Sequence, residues 1–143
     1  MVKKIPSICL LLVLILGLSI ILIPVQLAMA AFETKLTASD GEAGDWFGSS
    51  VSIIGATAGV GAPCEEYEVS VAGSAYIFRY DGSKWVEETK LTASDGASVD
   101  FFGSSVSING NTAVVGAAGE DDKGSAYVFR YDGSNWVEEA KLT

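Results

Sequence analysis

The stretch GSAYIFRYDGS, from Gly73 to Ser83, returns almost unchanged as GSAYVFRYDGS, from Gly124 to Ser134. Read with period two, the second copy puts Tyr127, Phe129 and Tyr131 on one face and Ala126, Val128 and Arg130 on the other. That is the pattern of a β-strand and not of a helix. Asp-Gly follows directly in both copies, a dipeptide that tolerates positive φ and so closes a tight hairpin. A strand written twice at a fixed spacing points to a repeat architecture, and repeats constrain a fold more strongly than local propensity does.

Outward from this stretch the duplication takes in nearly everything after residue 31. KLTASDG at Lys35 to Gly41 returns at Lys90 to Gly96, and its first three letters return at Lys141 to Thr143, offsets of 55 and then 51. FGSSVSI at Phe47 to Ile53 returns at Phe102 to Ile108. Each unit divides into four strand-like segments. In the second unit these are Gly103 to Ile108, with Val106 and Ile108 on one face; Thr112 to Ala117, whose small apolar run suits an inner strand covered on both faces; Ser125 to Tyr131; and Trp136 to Leu142. In the last, strict alternation sets Trp136, Ala140 and Leu142 on one side, with charges between them, as in an outer strand with one wet face. Asn109-Gly110-Asn111 turns the chain between the first two. Phe32 to Leu36 reads as an additional fourth strand ahead of the first complete unit.

Four antiparallel strands per repeat of roughly 40–55 residues is the arithmetic of a β-propeller blade. The expected class is therefore all-β, with two four-stranded antiparallel blades plus an extra N-terminal strand. Phe47-Gly48 followed by Gly61-Ala62-Pro63, and Phe102-Gly103 followed by Gly116-Ala117-Ala118, resemble the FG-GAP repeats that build the propellers of integrin α subunits and many bacterial surface proteins. On that resemblance the chain divides into a leader at 1–30, a leading strand and inter-blade loop at 31–46, one FG-GAP blade at 47–91, and a loop with a second blade at 92–143. Two features depart from the family pattern. Ala118 stands where the second motif would have proline, and Ile54-Gly55-Ala56 and Asn109-Gly110-Asn111 occupy the place of the family's Asp-rich calcium loop. No cofactor is implied with certainty, and calcium is not supported at the family's usual position.

Lys3 and Lys4 precede an apolar run from Ile8 to Ile23, with small residues at Ala28-Met29-Ala30, the form of a secretory signal peptide. The competing reading is an uncleaved membrane anchor, the only membrane association the sequence suggests. Either places the repeats outside the cytoplasm, secreted or at the cell surface. Removing Lys3 and Lys4 leaves seven basic residues against eighteen acidic ones, a net charge of −11, which argues against nucleic acid as a partner. Cys64 is the one cysteine beyond the leader, so no disulfide within the mature chain is expected.

Up-and-down strands sort the acidic residues onto one rim. Asp40, Asp45, Asp95 and Asp100 fall in inter-blade connections, while Glu120, Asp121 and Asp122 fall between the second and third strands. These seven are the candidates for a divalent cation, because hard cations take carboxylate oxygens; a solvated acidic surface is the plainer alternative. Asp45 and Asp100 also suit local hydrogen bonding to a turn. The loop from Cys64 to Ala72 is four residues longer than its counterpart, and its Glu65, Glu66, Tyr67 and Glu68 are the candidate contacts for a partner. Trp46, Trp85 and Trp136 suggest either sugar-stacking shelves or blade packing.

The chain has no histidine, which removes the commonest general base. Its acidic residues recur with the repeat instead of forming a unique pair, so an enzyme is not expected. Three functions fit: an adhesion or protein-binding module, a two-blade oligomeric carbohydrate-binding lectin, and a structural scaffold. Two blades do not close a propeller of 4 to 8, so self-association or further blades are expected to complete it.

Overall fold

The computed structural model describes residues 33–64, 72–120 and 123–143. The leader at 1–30, Phe32, the candidate contacts Glu65, Glu66, Tyr67 and Glu68, and the candidate ligands Asp121 and Asp122 lie outside the described residues. The chain divides into two units, Met1–Lys35 and Leu36–Thr143. In the first, the described residues 33–35 are exposed and carry no strand. Among the described residues, every strand lies in the second.

Among the described residues, eight strands form two separate four-stranded antiparallel sheets. The first blade is β1 (Ser50–Ile54), β2 (Thr57–Ala62), β3 (Ser74–Tyr80) and β4 (Trp85–Leu91); the second is β5 (Phe102–Asn109), β6 (Thr112–Ala117), β7 (Ser125–Tyr131) and β8 (Trp136–Leu142). Each sheet is a plain meander in chain order, with two-residue turns at 55–56 and 110–111 and four-residue turns at 81–84 and 132–135 joining antiparallel neighbours. There is no α-helix among the described residues, and none of them forms a helix long and apolar enough to cross a membrane.

The blades stack face to face. Ala75, Ile77 and Leu91 of the first meet Phe102, Ile108, Ala113, Val115, Ala117, Tyr127 and Phe129 of the second in one buried cluster. The equivalent face of the first blade, built on Ala58, Val60, Ala62, Tyr76 and Phe78, has the partly buried Leu36, Ala38, Phe47 and Trp85 packed against it among the described residues. The two-sided burial expected of the second strand is accordingly complete in β2, where every residue is buried, and halved in β6, which alternates between buried and half-buried.

Two expectations are corrected. The leading strand at 32–36 is not formed over its described residues, 33–36. A fourth strand needs a third strand to pair with, and β3 and β7 are already paired on both edges. Leu36 nevertheless packs on the first blade as Leu91 packs on the second. The alternation expected for the last strand is also broken. Val128 pairs with Ala140 and Phe129 with Glu138, so Glu139 is an extra residue, a bulge that moves Ala140 and Leu142 to the face opposite Trp136. The same irregularity recurs at Glu88 in β4. Both bulged glutamates reach back to an arginine on the adjoining strand: Arg79 donates to Glu88 at 2.9 Å and Arg130 to Glu139 at 2.8 Å.

Candidate functional site

Each KLTASDG segment is a clamp on the blade that follows it. Ser39 donates from its backbone N–H and its hydroxyl to the two carboxylate oxygens of Glu87, both at 2.8 Å, and Ser94 grips Glu138 in the same way at 2.9 and 2.8 Å. The next residue completes the hold. Asp40 accepts the Tyr76 hydroxyl at 2.8 Å on one oxygen and the Lys90 ammonium at 2.8 Å on the other. Asp95 repeats this with Tyr127 and Lys141, again at 2.8 Å each. The lysines also lie over the tyrosine rings, 5.5 Å from the centroid in both blades.

The second clamp has an extra carboxylate. Buried Glu120 accepts the Tyr127 hydroxyl at 2.9 Å and pairs closely with Lys141. Hydrogen bonds from lysine, then tyrosine, hold Asp40 and Asp95 below the usual carboxylate range. Lys141 and the Ser125 hydroxyl do the same for Glu120. Burial, then the Asp40 carboxylate, pushes the Tyr76 phenol up to about 12. Tyr127 is pushed up by burial and by its two carboxylates, and Lys141 is raised by Asp95 and Glu120. Near neutral pH these groups stay ionised or stay protonated, so the clamps offer firm structure and no group poised for proton transfer.

This assigns positions to the candidate cation ligands. Asp40, Asp95 and Glu120 are engaged by ammonium and phenol groups. Asp45 and Asp100 are buried and accept backbone N–H groups, from Glu42 at 2.7 Å and from Ala97. Among the described residues no group of three or more His, Cys, Asp or Glu side chains is gathered to hold a metal ion. The tyrosine and lysine partners were not singled out from sequence, although their recurrence with the aspartate in both units (Asp40/Asp95, Tyr76/Tyr127, Lys90/Lys141) was the available signal.

The turns held by Asp45 and Asp100 display apolar side chains on the same rim. Trp46 and Phe101 follow those aspartates with φ of 56° and 55°, and Val99 precedes Asp100 with φ of 65°, a conformation that aromatic and β-branched residues rarely adopt. Trp46 is 65% exposed and Val99 66%. The Asp45 carbonyl accepts the N–H of half-buried Cys64 at 3.3 Å, and the Phe102 N–H donates to Ala72 at 2.6 Å, so both ends of the candidate contact loop are anchored beside these turns. Trp85 and Trp136 instead pack at the opposite rim, 5.7 and 5.6 Å from Tyr80 and Tyr131. Trp136 donates across the blade junction to Glu88 at 3.2 Å.

The two signature dipeptides explain how the blades join. The Phe102 ring enters its own blade, meeting Tyr127 and Phe129 edge-on at 5.4 and 6.0 Å, while the Gly103 carbonyl turns outward to accept the Ser50 hydroxyl of the first blade at 2.8 Å. A profile of the FG-GAP repeat matches residues 31–78 and 85–129. The chain belongs to the FG-GAP repeat family. No curated protein matches the chain. In FG-GAP terms the Phe fills the blade core and the Gly docks on the preceding blade, against Gly61 of the first Gly-Ala-Pro element. A Cβ on Gly61 would lie 1.9 Å from the Gly103 carbonyl oxygen.

Proposed function

We propose that this FG-GAP repeat chain is an exported, non-catalytic protein-binding module of the adhesion type, carried by propeller blades. The supporting observation is the clamp rim. There two strained turns hold Trp46, Val99 and Phe101 outward among carboxylates, beside the anchored ends of the loop carrying Glu65, Glu66, Tyr67 and Glu68. Aromatic anchors surrounded by charge are the composition of protein contact sites, and the acidic surround favours a basic partner surface. The leader at 1–30 supports export to the cell surface or beyond.

A second reading rests on Trp46 alone: an exposed indole on a rim loop is a stacking platform for a sugar ring, as in a lectin. One experiment separates the two. The full chain, with Trp46→Ala/Phe101→Ala as the control, is applied to a panel of purified extracellular matrix proteins and to a glycan array, each with and without calcium. Capture of a basic matrix protein that falls at least tenfold in the variant supports the module, whereas glycan binding lost with Trp46 replaces it with the lectin. Binding that ignores the variant places the contact surface elsewhere.

A further inference from the structure

The two rim turns share a backbone and differ in what lies beneath the ring. Trp46 and Phe101 stand at the same repeat position with φ of 56° and 55°. The carbonyl just before each ring accepts the N–H of the residue that follows the Gly-Ala-Pro element, Cys64 to Asp45 and Gly119 to Asp100. Yet Trp46 is 65% exposed and Phe101 38%. Gly119 supplies the difference. A Cβ there would lie 2.8 Å from Cδ2 of Phe101 and 2.0 Å from the Val99 carbonyl oxygen, so the phenyl ring rests in a seat that only glycine leaves open. In the first unit the residue at that position is Cys64, and its Cβ fills the seat.

The first turn carries the marks of that obstruction. The Cys64 N–H donates to the Asp45 carbonyl at 3.3 Å, where the Gly119 N–H donates to that of Asp100 at 2.9 Å. Gly44 takes a φ of 103° where Val99 takes 65°, a departure that glycine makes at little cost. Each unit thus has one glycine of a facing pair, Gly44 opposite Cys64 and Gly119 opposite Val99. We propose that Cys64 is a positioning residue that makes Trp46 the principal contact of the rim. Its Cβ, and not its thiol, occupies the seat and holds the indole out, while Gly119 lets Phe101 lie down. An anchor held out by obstruction is ordered before its partner arrives, which lowers the cost of binding. Trp46 and Cys64 belong to one blade, so the effect is independent of what packs on that blade's faces. The inference rests on the rim being a protein-contact site and names which of its two rings the partner engages.

The test reads the indole directly. The full chain, in non-ionic detergent, is labelled with 5-fluorotryptophan; it holds three tryptophans, and the Trp46 fluorine resonance is the one lost in Trp46→Phe. A soluble nitroxide is expected to broaden that resonance more than those of Trp85 and Trp136, which pack on Tyr80 and Tyr131. Cys64→Gly should bring the broadening down toward their level, and Cys64→Ala should leave it as in the wild type. Gly119→Ala is expected to lower the thermal midpoint by about 5 °C, and by less in a Val99→Gly background, which restores the pairing of the first unit. On the matrix-protein panel, Trp46→Ala should account for most of the lost capture and Phe101→Ala for little, with Cys64→Gly following Trp46→Ala. The proposal is overturned if Cys64→Gly leaves the Trp46 resonance as broad as in the wild type, if Cys64→Ala protects it equally, or if Gly119→Ala costs the same in both backgrounds. Capture that ignores Trp46→Ala while the resonance responds as expected overturns the rim as contact site and leaves Cys64 as the support of the indole.

Discussion

The Tyr127 hydroxyl lies 2.8 Å from Asp95 and 2.9 Å from Glu120, while its counterpart Tyr76 is paired with Asp40 at 2.8 Å. One phenol thus joins the connection before its blade to the loop between the second and third strands. Glu120 is buried, so removing this donor leaves its carboxylate, still held by Lys141, one hydrogen bond short where water reaches poorly. Tyr127→Phe is expected to destabilise the chain by about 2–3 kcal/mol and Tyr76→Phe by about 1 kcal/mol, because Asp40 can turn to solvent. Urea denaturation of the two variants checks the ordering.

The clamps also set the acid sensitivity. Asp40, Asp95 and Glu120 are held below their ordinary values in the folded chain, so the unfolded chain binds protons more readily. Their stabilisation is fully present above the unfolded carboxylate range, about pH 4, and is lost as the pH falls through the lower folded values. The urea midpoint is expected to drop on acidification below about pH 4.5. Lys90→Met/Lys141→Met should have a lower midpoint at neutral pH and a flatter acid limb. Solvent around Asp40 and Asp95 keeps their share small, so Lys141→Met should flatten the limb more than Lys90→Met.

Val99 holds a φ of 65° where the first unit has Gly44, at 103°. A β-branched residue in the left-handed region carries a cost of roughly 1–2 kcal/mol, and glycine returns about half of that as unfolded-state freedom. Val99→Gly is expected to raise stability by up to about 1 kcal/mol. Gly44→Val should lower it, and differential scanning calorimetry distinguishes the two signs.

Leu91 and Leu142 end the outer strands of the two blades at the same repeat position, yet Leu91 is 3% exposed and Leu142 54%. Truncating the first opens a cavity between blades and the second removes only surface. Leu91→Ala is expected to cost about 2–4 kcal/mol and Leu142→Ala less than about 0.5 kcal/mol. Equal losses would mean that the second blade's outer face is covered in solution.

Local patterning carried most of the fold. The segments Thr112 to Ala117, Ser125 to Tyr131 and Trp136 to Leu142 match β6, β7 and β8 at both ends, because alternation and Asn-Gly or Asp-Gly turns act over a few residues. What escaped depends on partners distant in sequence. The Glu139 bulge is a matter of register against β7, and nothing in β8 alone announces the extra residue. The segment at 32–36 has strand-like composition, yet over 33–36 no strand forms, since the third strands β3 and β7 that a fourth strand would join are already paired on both sides. In the site, the aspartates stood out as an acidic class, whereas their tyrosine and lysine partners lie up to 50 positions away and read locally as strand residues. The Trp46 turn escaped because a positive φ runs against the preference of an aromatic residue, so its own sequence does not announce it.

The second clamp straddles the boundary between the two blades. The segment from Leu91 to Asp95 leaves the outer strand of one blade and is fastened within a few residues to the next, through Ser94 on Glu138 and Asp95 on Tyr127 and Lys141. A pull along the chain therefore does not peel strands from an edge one hydrogen bond at a time. It loads several charged contacts at once, in parallel, before any ladder is strained. Such staples would turn the connection between the blades from the first point of failure into a mechanical stop.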